Sequence, residues 1–214
     1  MKLVIGDKNY SSWSMRPWLV MKHFGMPVDE IMVELFEAGS KDRILGYSAS
    51  GKVPCLVTDD GVSVWESLAI IETLAEHFPE HAVWPRDAAQ RAHARAISAE
   101  MVAGFGALRQ NMWMNIRASF PGKGRTPESL ADIARVDALW SACLDRHGGP
   151  FLFGEFSAAD AMYAPVVMRF NTWQPALSEA AAGYAQRVTA QPAVKAWIDA
   201  ALRETHHIDK YETC

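Results

Sequence analysis

Cysteine is scarce in this chain: three residues in 214, Cys55, Cys143 and Cys214, odd in number and far apart. They form no Cys-x-x-Cys pair and no zinc spacing, which argues against a disulfide framework or a metal site and fits a reducing, cytoplasmic compartment. Long apolar runs are lacking as well. No stretch approaches the ~20 residues of a membrane span, and the opening MKLVIG reads as a strand rather than as a signal core. Charge of either sign is not in excess: 21 Lys and Arg against 25 Asp and Glu leave a net charge of -4, which disfavours an electrostatic nucleic-acid binder but not a small basic pocket. There is no internal repeat or low-complexity tract. The seven histidines are scattered without ligand spacing, and His206-His207 reads as an exposed tail. What remains is an ordinary globular composition, 50% hydrophobic and 21% charged, sufficient for a full core.

The hydrophobic patterning changes character along the chain. Leu3-Val4-Ile5 reads as a short buried strand ending at Gly6, and residues 7–14 as polar loop. A helix follows over 15–24, with Pro17 near its start and Gly25 at its end. A strand is predicted at 29–35, a short helix or irregular turn at 40–45, and strands at 53–58 and 61–64 joined by Asp59-Asp60-Gly61. An amphipathic helix over 66–78 places Leu68, Ile71, Leu74, Ala75 and Phe78 on one face. The order is βαβ, a short helix, then ββα, which gives a mixed sheet with helices packed on it. Residues 79–87, with two prolines and no periodicity, read as a linker. Everything beyond is helical in character: 88–117 (bent near Gly104 and Gly106), 127–147, 158–170, 175–189 and 192–204. The prediction is a small α/β domain over 1–78 and an all-helical domain over 88–214.

Four local signals carry chemistry. In Lys52-Val53-Pro54-Cys55, a proline enters an apolar strand; a trans proline at a strand start satisfies the pattern, and a cis bond would turn Val53 to offer its peptide groups outward. Glu66-Ser67 opens the amphipathic helix, either as a simple cap or as a helix N-terminus presenting N–H groups to an anion. Ser11-Ser12-Trp13-Ser14 precedes the helix bearing Arg16. Ser14 suffices as its cap, which leaves Ser11 and Ser12 without a duty, and no histidine is near to make a serine hydrolase. Ser157-Ala158-Ala159-Asp160 is a capping box with aspartate in place of glutamate, a structural device.

These four pieces, in this order and over nearly the whole chain, resemble the soluble glutathione S-transferases of the serine type. The SSWSMRPW stretch is most similar to zeta-class and bacterial members, with Trp13 where the zeta motif has cysteine. The resemblance implies a thioredoxin-like α/β N-terminal domain, with Pro54 as its cis-proline, followed by an all-α domain. It implies glutathione as substrate or cofactor, no metal, a small electrophilic second substrate, no nucleic acid or membrane partner, and a homodimer. Val53 would pair with the cysteinyl part of glutathione, Glu66 and Ser67 would hold the γ-glutamyl end, and Lys52, with Lys41, would meet the glycine carboxylate. Ser11 or Ser12 would face the sulfur. The second substrate would lie against Met101, Phe105, Met112, Trp113, Tyr163 and Phe170, although such a stripe equally suits a core. Arg109, Asn115 and Arg117 read either as an anion site or as a solvated helix face. The resemblance leaves open a maleylacetoacetate-type isomerase and a non-catalytic ligand-binding protein.

Overall fold

A computed structural model describes residues 1–213; Cys214 lies outside the described residues. The chain begins with a four-stranded sheet made of β1 (Lys2–Gly6), β2 (Asp29–Val33), β3 (Cys55–Val57) and β4 (Ser63–Trp65), in the order β2-β1-β3-β4. β1 runs parallel to β2, with Val4 opposite Ile31, and antiparallel to β3, with Val4 opposite Cys55. As an inner strand covered on both sides, β1 is buried at four of its five residues, which is why its sequence is a continuous apolar run. The first crossover is α1 (Ser12–Phe24), and α2 (Ser40–Leu45) and α3 (Ser67–His77) follow. Gly25 ends α1 in the left-handed conformation at φ 68°.

α1 starts three residues earlier than its apolar pattern predicts, and this has a consequence. Pro17 lies inside the helix rather than at its first turn. Having no N–H, it leaves the carbonyl of Trp13, one turn back, without its helical partner. The Ser67 hydroxyl donates to that carbonyl at 2.8 Å, so α3 satisfies the group that the proline frees and ties its own N-terminus to α1.

Beyond residue 87 the described chain is helical: α4 (Ala88–Ala103), α5 (Gly106–Asn111), α6 (Pro127–His147), α7 (Ala158–Trp173), α8 (Glu179–Ala190) and α9 (Pro192–Arg203), then a 3-10 turn at Asp209–Tyr211. The long helix predicted over 88–117 is broken. Gly104 ends α4, Phe105 takes a left-handed conformation at φ 57°, and α5 stops at Asn111, so 112–126 is irregular. α7 is buried along almost its whole length and packs on α1. Leu3, Leu19 and Ile70 of the sheet region share one continuous apolar core with Val136, Trp140, Val166 and Trp197 of the helical region. Among the described residues no helix is long and apolar enough to cross a membrane.

Candidate functional site

The helix starts and strand ends at one edge of the sheet border two adjoining hollows. The smaller, about 170 Å³, is bounded by Trp13, Lys52, Val53, Pro54, Glu66 and Ser67. The larger, about 930 Å³, is bounded by Ser11, Ser12, Lys41, Arg109, Trp113 and Arg169, among others. Trp13, Lys52 and Val53 border both, so the two form one continuous groove. It brings together all eight residues predicted for the thiol and glutathione site.

Backbone geometry is unusual at two places around the small hollow. The Val53-Pro54 bond is cis, and Val53 precedes the ladder that begins at Cys55. Glu66 has φ 69° and ψ 126°, a region that disfavours a residue with a side chain and costs about 1–3 kcal/mol where it occurs. Glu66 is exposed and borders the hollow, and Ser67 begins α3. The Ser67 hydroxyl proton is committed to the Trp13 carbonyl, so what α3 offers an anion there is backbone N–H.

In the large hollow the serines differ. Ser11 Oγ donates to Ser14 Oγ at 2.7 Å, and Ser14 Oγ also accepts from the Gly6 N–H at 3.1 Å. Ser12 Oγ accepts from Arg169 Nη2 at 3.2 Å. Tyr10 also borders this hollow, but its hydroxyl is occupied by Glu212, by Arg117 Nη2 at 2.8 Å and by the Ile208 N–H at 3.2 Å. It is therefore turned to the C-terminal tail, not to a ligand.

Behind Ser12 and Trp13 stand three arginines. The Arg16 guanidinium lies 4.2 Å from the Trp13 ring centroid and that of Arg109 lies 5.7 Å away. Arg16 donates to the Met162 and Ser12 carbonyls and Arg169 to the Pro165 carbonyl. Among the described residues, Arg16 Nη2 and Arg169 Nε find no partner. Burial and then the neighbouring Arg109 charge pull the Arg169 guanidinium down to about 10; burial and the charges of Arg169 and Arg109 pull Arg16 down as well.

The six residues predicted to line the second-substrate site are not brought together. Of the six residues predicted, only Trp113 borders the hollow. Met101, Met112 and Tyr163 are core, Phe105 is buried at the α4–α5 break, and the Tyr163 hydroxyl is spent on the Ile97 carbonyl. Phe170 packs on Trp140 and faces a different groove with Leu177. Asn115 and Arg117 are no solvated helix face either. Asn115 donates to the Tyr211 carbonyl, and Arg117 to the carbonyls of Glu204 and His206, which fastens the tail. The tail then adds Tyr211 to the wall of the hollow. Nothing in the composition of residues 204–213 announces that docking, and Arg169 is likewise hidden in an apolar helix. Among the described residues, no group of three or more His, Cys, Asp or Glu is placed to hold a metal ion.

Family models described as "Glutathione S-transferase, N-terminal domain" and "Glutathione S-transferase, C-terminal domain" match residues 10–77 and 88–200. The chain is 29% identical to a probable maleylacetoacetate isomerase of Caenorhabditis elegans over 172 residues, 78% of this chain and 77% of that protein. It is 26% identical to glutathione S-transferase GstB of Escherichia coli K12 over 208 residues, 90% and 96% of the two chains. A glutathione transferase from Methylococcus capsulatus superposes with a TM-score of 0.72 at 25% identity, covering 94% of this chain and 98% of that one.

Proposed function

The chain belongs to the glutathione S-transferase family, and from that premise we propose that it binds glutathione along the groove and activates its thiol for attack on a small electrophile. The γ-glutamyl end lies in the small hollow, its ammonium against the Glu66 carboxylate and its carboxylate at the α3 N-terminus. Val53 pairs its backbone with the cysteinyl residue, Lys52 and Lys41 meet the glycine carboxylate, and the sulfur reaches the serines. The observation that carries this reading is the continuity of the groove from Glu66 and Ser67 to Ser11 and Ser12.

The energetics suffice. A free thiol with a pKa of about 8.5 is only a few per cent ionised at pH 7, and lowering it by about two units takes roughly 2.7 kcal/mol. A hydrogen bond to a charged group supplies about 1.5–3 kcal/mol and a helix N-terminus roughly 0.3–1 more. The thiol proton leaves to solvent through the open groove and the serine hydroxyl donates to the sulfur anion. The sulfur lone pair then forms the bond to carbon as the leaving group departs with its bonding electrons.

A glutathione-dependent cis–trans isomerase is the second reading, favoured by Arg109 and Arg169 beside Ser12, since two guanidinium groups suit a carboxylate-bearing alkene. There the thiolate adds to the double bond, the resulting single bond rotates, and elimination returns glutathione. Calorimetry with glutathione, followed by turnover of a chloronitroarene against a maleyl ketoacid, tests both. Binding with turnover of the arene supports conjugation, turnover of the ketoacid alone supports isomerisation, and absence of binding refutes the site.

A further inference from the structure

Ser11 and Ser12 border the same cavity but have different capacities to donate. The Ser11 hydroxyl has one proton and gives it to Ser14 Oγ. The Ser12 hydroxyl has its oxygen held from behind by Arg169 Nη2, and among the described residues its own proton has no acceptor. Its proton is thus uncommitted within the protein and available to a ligand in the groove that Ser12 borders. Arg169 is itself fixed by the backbone of its own helix, through Nη1 and the Pro165 carbonyl. It makes no ion pair with a carboxylate among the described residues, and its Nε is unpartnered although buried. A buried cation without a counter-charge is costly, and an anion arriving in the adjoining cavity relieves that cost.

We propose that Arg169 is a positioning residue for thiol activation, orienting Ser12 rather than Ser11 to donate to the glutathione sulfur and favouring the ionised sulfur with its uncompensated charge. The inference rests on the reading that glutathione occupies the groove. No group is transferred to or from Arg169, which keeps its proton throughout and acts through the oxygen of Ser12.

The test is the ionisation of bound glutathione, followed by thiolate absorbance against pH on the full chain, with glutathione affinity measured by calorimetry on the same samples. S12A and R169M are each expected to raise the apparent pKa of the bound thiol by at least one unit, a tenfold loss of thiolate on the acid side. The double variant should show little more than either alone, because both act on one contact. R169K, which keeps the charge without the fork, should fall between wild type and R169M. S11A should move the thiolate fraction by no more than about threefold. A merely structural arginine would lower the melting temperature of R169M and leave the thiol pKa in place, and that result overturns the proposal. So does a shift in S11A that exceeds the shift in S12A, a comparison that holds even if R169M does not fold. Wild-type protein that fails to bind glutathione overturns this inference together with the reading beneath it, whereas binding with an unshifted pKa in S12A and R169M overturns this inference alone.

Discussion

Glu66 shows how much of a site one residue can carry. Its backbone stands at positive φ, and the residue, which is exposed, borders the small hollow. Changing Glu66→Gln keeps the shape and removes the charge, so KM for glutathione should rise about tenfold with kcat within a factor of two, as the loss of one charge-assisted hydrogen bond requires. Steady-state kinetics at varied glutathione check this; an unchanged KM would remove Glu66 from the site. The pair Glu66-Ser67 was visible in the sequence because a polar pair opens an apolar helix face. The conformation of Glu66 was not, since nothing in the residue type forces it. Arg169 was invisible for the opposite reason. It sits among Pro165, Val166, Val167 and Phe170 on a helix whose pattern reads as core, and only the fold shows that its fork turns toward Ser12.

Whether a terminus or a break was legible at the scale of elements depended on whether its determinants are local. α6 begins and ends where its sequence says, with Thr126 accepting from the Ser129 N–H, Pro127 in the first turn and Gly148 at the end. The start of α1 depends on a distant partner instead, because Ser67 compensates for Pro17. Ser67→Ala leaves the Trp13 carbonyl unsatisfied and should destabilise the chain by about 1–3 kcal/mol, as read by urea unfolding. A loss below 0.5 kcal/mol would mean that water serves the carbonyl equally well. Asp160 is a stronger case. Its carboxylate accepts from the Leu152 and Ser157 N–H groups at 3.0 and 2.9 Å and from the Tyr184 hydroxyl at 3.0 Å, while burial pushes its carboxyl up to about 6. Asp160→Ala strands those donors inside the core and should cost about 2–5 kcal/mol, without altering the ratio of kcat to KM in whatever fraction remains folded.

At the scale of the molecule, the tail after α9 clasps the sheet region. Glu204 accepts from the N–H groups of Lys8 and Asn9, and His206 stands between Asp7 at 2.6 Å and Glu37 at 3.1 Å. This pairing was not legible, because two adjacent histidines near a chain end carry no pattern until the fold brings Asp7 to them. Burial pulls the His206 imidazolium down, but the hydrogen bonds and charges of Asp7 and Glu37, with Glu34 behind, outweigh it and the net shift is upward. A histidine raised in the folded state contributes stability that is complete below its unfolded value near 6.5 and is lost as pH rises through the folded value. The melting temperature of wild type relative to His206→Gln should therefore be highest near pH 6 and shrink toward pH 9; a constant difference would contradict the clasp. The tail brings Tyr211 to the large hollow, so loosening it should also raise KM for the second substrate. The architecture itself was readable, because short apolar strands and long amphipathic helices separate cleanly along the chain. The make-up of the large hollow was not, because part of its wall comes from the irregular segment after a helix break and part from a docked tail. The groove matters only if it changes the chemistry of a sulfur atom, and the direct measurement is a pH titration of thiolate absorbance for glutathione bound to the wild-type chain. An apparent pKa about two units below the ~8.5 of a free thiol is expected. A bound thiol that titrates at the free value would contradict it.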